Sequence, residues 1–217
     1  MRIPLLAIAL LAPGCVSLPT PSDVDDADES LTLAGEAMPR GDDATAATHF
    51  EIYVGQHPDQ LMFRLHLADL QFKLQHLPEA RYHYERFIAG AQSAPGSPKS
   101  HLVHCRTRLM EIAQQSDDHY GELLHRGIGL VLLTRVSREA ESAEPRAPRE
   151  EILCTAIQAL REAARLKVHD PRVQLYLAEA YDRSGNRSAA ATARAAARNN
   201  ALPGDLTPTE ALQLARD

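Results

Sequence analysis

The sequence predicts an all-α chain of stacked antiparallel helix pairs, about 9–10 helices in all, and three observations predict it. The chain resembles itself when slid by 34 residues: Leu33 meets Leu67, Ala34 meets Ala68, Ala46 meets Ala80 and Phe50 meets Tyr84. Aromatic content is 5% with no Trp, while Ala and Leu are abundant, which suits helices packed through small residues better than a β-sandwich. Finally, apolar residues recur at helical spacing between recognisable start and stop signals.

The first element is set aside from the fold. Arg2 and the amino terminus supply positive charge, and Ile3 to Ala12 form an apolar run too short to span a bilayer as a helix. The stretch Leu11-Ala12-Pro13-Gly14-Cys15 resembles a bacterial lipoprotein processing site, with its Leu four residues before the Cys instead of three. The resemblance implies a signal peptide over 1–14, cleavage before Cys15 and acylation of its thiol. Acyl chains would anchor the mature chain, since each buried methylene contributes about 0.8 kcal/mol. Val16 in place of Asp resembles the sorting signal for the outer membrane. An ordinary secretory signal with an incidental Cys is the other reading. Residues 15–26, rich in Pro, Ser and acids, are expected to be a flexible tether.

The helical body is expected over 27–217. One unit runs from Ala27 to Gln60 and closes on His57-Pro58. The next runs from Leu61 to Ala94 and carries Leu67-Ala68, Leu74, Leu77, Ala80, Tyr84 and Phe87. A third runs from Pro171 to Gly204, with Leu177-Ala178, Tyr181, Gly185, Ala190 and Ala197 in register. Asp170 before Pro171 is a helix start, a cap followed by Pro in the first turn. Thr207-Pro208-Thr209-Glu210 reads as a capping box opening a final helix over 207–216, which would cover the last interface of the stack.

The centre, 97–168, is irregular. Ser97-Pro98 opens a helix carrying Leu102, Cys105, Leu109 and Ile112. Asp117-Asp118 opens an apolar helix, Tyr120 to Val136, with Gly127 as a small packing residue. A helix over 149–168 is its expected partner, and the charged segment 137–148 is expected to be an inserted loop. The helix at 98–115 then has no regular partner, and whether it pairs with 120–136 or bridges the two halves is open.

This pattern of large and small residues resembles the tetratricopeptide repeat. The match covers roughly 27–204, is best in the three regular units, and departs at Gln71, where the family places an aromatic. The resemblance implies a right-handed superhelix whose concave face comes from the first helix of each pair and binds proteins or peptides. It assigns the groove to Met62, Leu65, Asp69, Phe72 and Lys73, to Leu124, Ile128 and Val131 in the central unit, and to Arg172, Leu175, Glu179, Asp182 and Arg183. An amphipathic helix or extended peptide would suit such a groove. The competing arrangement buries the central apolar residues beneath the helix at 98–115.

The remaining residues offer little chemistry. A net charge of -6 argues against nucleic acid, which requires a basic face. Of the ten histidines, His101 and His104 lie one turn apart, but no third ligand with fixed geometry accompanies them. Gly127-Ile128-Gly129 lacks the third Gly of a phosphate loop. Cys105 and Cys154 lack a CxxC spacing and sit on apolar helix faces, which leaves a disulfide open. The expectation is therefore no enzyme, no metal and no cofactor. It is a lipid-anchored protein-interaction scaffold in a bacterial envelope, facing the periplasm and assisting assembly of an outer-membrane machine such as a pilus, secretin, secretion or gliding apparatus. The alternative is an adaptor that binds or regulates a cell-wall-modifying enzyme.

Overall fold

A computed structural model describes residues 21–93, 99–139 and 146–216. Among them are ten α-helices and no strand: α1 Pro21–Ala37, α2 Asp43–Gln56, α3 Leu61–Lys73, α4 Leu77–Ser93, α5 Lys99–Gln115, α6 His119–Glu139, α7 Arg146–Leu166, α8 Pro171–Arg183, α9 Arg187–Asn200 and α10 Pro208–Arg216. Each from α1 to α9 packs chiefly on its neighbours in sequence, so the chain is a stack of antiparallel helices, and α10 returns to α4. None of the described helices is long and apolar enough to cross a membrane.

Four helix pairs are closed by one kind of turn. A single residue adopts a left-handed backbone at Gly41 (φ 71), Gln75 (φ 63), Asp117 (φ 54) and Gly185 (φ 84). In each, two N–H groups reach back to carbonyls of the chain just before it, which at Gly41 includes the short 3-10 turn Met38–Arg40 that follows α1. Examples are Gln75 N to Phe72 O (3.1 Å) with His76 N to Gln71 O (2.9 Å), and Gly185 N to Asp182 O (3.0 Å) with Asn186 N to Tyr181 O (2.8 Å). These bonds satisfy carbonyls that a helix end otherwise leaves open. The turn joins α1 to α2, α3 to α4, α5 to α6 and α8 to α9. Thus α5 and α6 are a regular pair, and the helices without a pairing turn are α7, packed between α6 and α8, and the terminal α10.

The small residues at the pair crossings sit where the 34-residue spacing puts them. Ala34, Ala46, Ala68 and Ala80 are all fully buried, as are Tyr84 and Ala190, and Phe50 and Ala178 are nearly so. Leu33 departs from Leu67. Leu67 packs against the pair before it, whereas Leu33 belongs to the first pair, has none before it and is 36% exposed. One core runs from Leu65 on α3 to Ala193 on α9, with Leu109, Ile128, Leu132 and Leu160 at its centre. A second joins α1, α2 and α3.

Three boundaries move. The backbone is helical from Pro21, so 21–26 continue α1 instead of belonging to the tether; Pro at the start and acids after it suit a helix N-terminus. The inserted loop shortens, because α6 runs on to Glu139 and α7 starts at Arg146. Residues 1–14, expected to be a signal peptide, Cys15 and residues 140–145 lie outside the described residues. Cys105 is buried and Cys154 exposed, and both are free thiols, so no disulfide joins them. Burial pushes the Cys105 thiol up to about 12, an unreactive small core group.

The last helix does more than cover the end of the stack. Its capping box is reciprocal: Thr207 N donates to Glu210 Oε2 (2.9 Å) and Glu210 N to Thr207 Oγ1 (3.3 Å). The Glu210 carboxylate, 2% exposed, also accepts from Tyr176 Oη at 3.1 Å. Thr207 Oγ1 and Thr209 Oγ1 bond the side chain and the carbonyl of Gln92 (2.7 and 2.8 Å), so α10 returns to the end of α4.

Candidate functional site

The residues expected to line one groove are placed in three different ways. Leu124, Ile128 and Val131 are 4%, 0% and 0% exposed and belong to the core. The expectation that they line a groove fails because α6 is the second helix of its pair. With α5 on one side and α7 on the other, its apolar run is covered twice. Leu65 and Leu175 are likewise buried. Leu175 packs with Ala197 and Leu214, under α10.

The α3 positions do not converge either. Met62 is 44% exposed. Lys73 pairs with Asp43 of α2 at 2.5 Å. Phe72 lies under the Arg108 guanidinium, 4.8 Å from its ring centroid. Asp69 is a structural acceptor: its Oδ1 takes hydrogen bonds from Tyr84 Oη (2.6 Å) and His104 Nε2 (2.8 Å). Burial would raise the Asp69 carboxyl, but those two bonds and the His104 charge hold it below the ordinary value. His104 is thereby accounted for, and His101 meets the edge of the Phe87 ring. Among the described residues no cluster of three or more His, Cys, Asp or Glu could hold a metal.

The α8 positions do converge. Glu179, Asp182 and Arg183 line a polar cleft of about 460 Å³ with Thr134 of α6 and Arg149 and Leu153 of α7. The helical spacing of Glu179, Asp182 and Arg183 puts all three on one face. Glu179 is the anchor. Arg135 grips it with two donors, Nε to Oε1 at 2.6 Å and Nη2 to Oε2, and Arg183 Nε reaches Oε1 at 2.9 Å. Burial alone would raise the Glu179 carboxyl; the Arg135 bonds and the two positive charges outweigh it and hold it low. Asp182 is paired with Arg194 of α9. Arg149 makes no hydrogen bond or ion pair among the described residues. The cleft thus combines one doubly gripped carboxylate, one paired carboxylate and a surplus guanidinium, and it suits a partner segment that brings carboxylates.

Arg172 belongs to a different place. Its Nη2 donates to Asp205 O (2.9 Å) and its Nε lies 3.8 Å from Glu210 Oε2, so it holds the α9–α10 loop.

Sequence reasoning missed a repeated polar device. Arg64 Nη1 donates to His83 Nδ1 at 3.4 Å, and Arg106 Nη1 to His125 Nδ1 at 3.1 Å. The two pairs have the same separation, 19 residues. Each histidine lies eight residues after its left-handed turn residue, as does His49 after Gly41. That common offset is the signal by which they could have been found.

Fold and cleft together define an all-α helical-repeat protein with a charged cleft on one face. No family model matches the chain, and no curated protein matches it. Among solved structures it is similar to a crystal structure of MamA protein (12% identity, TM-score 0.40, covering 82% of this chain and 92% of that one). It is also similar to MamA 41-end from Desulfovibrio magneticus RS-1 (11% identity, TM-score 0.39, covering 81% and 94%). Both likenesses are distant, and the fold class stands on the helix stacking itself.

Proposed function

We propose that the chain is a protein-interaction scaffold held in a bacterial envelope by an acyl anchor on Cys15, and that it engages its partner through the α6–α8 cleft. The observation that carries the interaction role is the cleft itself. Three guanidinium groups, Arg135, Arg149 and Arg183, line or border the cleft at Glu179, and Arg149 makes no ion pair with another described residue. A solenoid presents such a surface on rigid helices, so a partner segment docks without loop ordering. An acidic, extended or helical segment fits the surplus charge. The lipobox-like start supports an outer-membrane anchor with the helical body facing the periplasm. An assembly role in an outer-membrane machine follows from that location.

The anchor is tested by growing cells with radiolabelled palmitate. Wild type takes up label and Cys15→Ser does not; equal label on both, or none on wild type, removes the lipid anchor. The scaffold role is tested by capture from detergent-solubilised envelopes, where a discrete partner is expected at matched protein levels and an unchanged background would remove it.

A further inference from the structure

We infer that the chamber between α4, α5, α6 and α8 binds a small protonated oxyanion of the phosphate class. The chamber measures about 170 Å³ and is lined by Glu85, Ile88, Arg106, His125, Arg172 and Thr207. It lies apart from the α6–α8 cleft and does not depend on it.

The argument starts from the two Arg–His pairs. Arginine always donates, so the nitrogen that receives Arg64 or Arg106 is a bare acceptor, and each histidine carries its proton on Nε2. In the first pair a carboxylate completes the chain: His83 Nε2 lies 3.1 Å from Glu51 Oε2. The residue 34 places after Glu51 is Glu85, and it lines the second chamber. Glu85 does not close on its histidine as Glu51 does. No carboxylate of the described residues lies within ion-pair distance of Arg106.

Arg106 is therefore a charge without a counter-charge. Its residue is 4% exposed, and its Nε is a buried donor with no hydrogen-bond partner in the protein. Arg172 Nε, on the same chamber, is buried with no hydrogen-bond partner either. A buried guanidinium left as that of Arg106 is left is costly, and a bound anion relieves that cost; Arg172, already ion-paired with Glu210, adds a spare Nε–H donor. Arg106, Arg172 and the His125 N–H supply donors of the kind that recognise phosphate or carboxylate oxygens. Glu85 narrows the choice. A fully deprotonated anion would be repelled by it, whereas hydrogen phosphate keeps an O–H that can donate to the Glu85 carboxylate. Sulfate at neutral pH has no such proton.

The test uses the full chain and titrates inorganic phosphate, sulfate and glycerol phosphate against potassium chloride at matched ionic strength, read by calorimetry and by broadening of the phosphorus resonance. Phosphate is expected to bind saturably, with sulfate weaker by about tenfold. Glycerol phosphate, whose dianion like sulfate carries no P–O–H, is expected to bind more weakly than inorganic phosphate, and tighter binding would overturn the role given to Glu85. Arg106→Met is expected to lose the binding and to be more stable than wild type in anion-free buffer, because it removes an uncompensated buried charge. Glu85→Gln is expected to bring sulfate up to phosphate. Should Arg106→Met fail to fold, Arg172→Gln replaces it, with weakened binding expected. No saturable response to phosphate in wild type, or binding unchanged in the Arg106 and Arg172 variants, overturns the inference.

Discussion

Gly127 of α6 lies directly against Leu160 of α7: a Cβ at 127 would stand 2.5 Å from Leu160 Cγ and 2.8 Å from its Cδ2. This contact seats the odd helix of the stack. Gly127→Val is expected to cost about 1–3 kcal/mol, because the branched atom and not a flexible tip of Leu160 must move. Leu160, fully buried, is expected to cost about 2–5 kcal/mol when cut to Ala. In the double variant the Val fills space that Leu160 vacates, so the loss should be less than the sum of the two. Urea denaturation of the four proteins measures the coupling; simple additivity would mean that the two residues do not share this contact.

What was legible in the sequence follows from this kind of packing. Small residues at a helix crossing are visible as Ala or Gly at fixed spacing, so Ala34, Ala46, Ala68, Ala80 and Gly127 announce the stack. The pairing of α5 was not legible. Its turn residue is Asp117; Gly41 and Gly185 are the type expected at a left-handed helix end, whereas Gln75 and Asp117 are not and so hide the common turn. The groove failed at its centre for a related reason. An apolar helix exposed on a concave face and one buried from two sides have the same composition, and only the neighbours decide. Arg135 and Glu179, 44 residues apart, carry no local signal at all.

The pH dependence of stability should fall on the acid side. Burial, together with the charges of Arg106, Arg172 and Arg81, holds the His125 imidazole well below its ordinary value of 6.5, and burial lowers His83 as well despite the opposing charge of Glu51. Glu85 faces the same chamber as His125. Above pH 6.5 both states are neutral and these groups add no slope. Below it the unfolded chain takes up protons that the native histidines refuse, so stability drops as pH falls. One such group contributes at most about 1.4 kcal/mol per pH unit. His125→Gln should flatten the urea-midpoint profile between pH 6.5 and 5 relative to wild type. An unchanged slope would remove His125 from the account.

The return of α10 to α4 is testable through its cap. Thr207→Ala removes the hydroxyl that bonds both Glu210 N and Gln92, and is expected to cost about 1–2 kcal/mol. Glu210→Ala leaves Tyr176 Oη and Thr207 N without their acceptor and should cost about 1–3 kcal/mol. Hydrogen exchange should quicken at the end of α4 as well as in α10 for both variants. Faster exchange confined to α10 would show that the Gln92 contact does not couple the two helices.

Substitutions at the cleft should separate binding from stability. Arg183→Glu places a carboxylate beside Glu179, which is 10% exposed at its side chain, and is expected to destabilise the fold by about 1–3 kcal/mol. Arg149→Glu breaks no hydrogen bond or ion pair among the described residues and should leave stability within about 0.5 kcal/mol of wild type while weakening partner capture. Capture equal to wild type would mean that the surplus guanidinium plays no part.

The most direct test of the interaction cleft is site-specific photocrosslinking in intact cells, with the reactive residue at Arg149 and, on separate chains, at exposed Tyr82 and Ile52 of the first two pairs. A discrete adduct of one size from Arg149, absent from Tyr82 and Ile52, is the predicted result. No adduct from Arg149, or the same adducts from all three positions, would contradict the account.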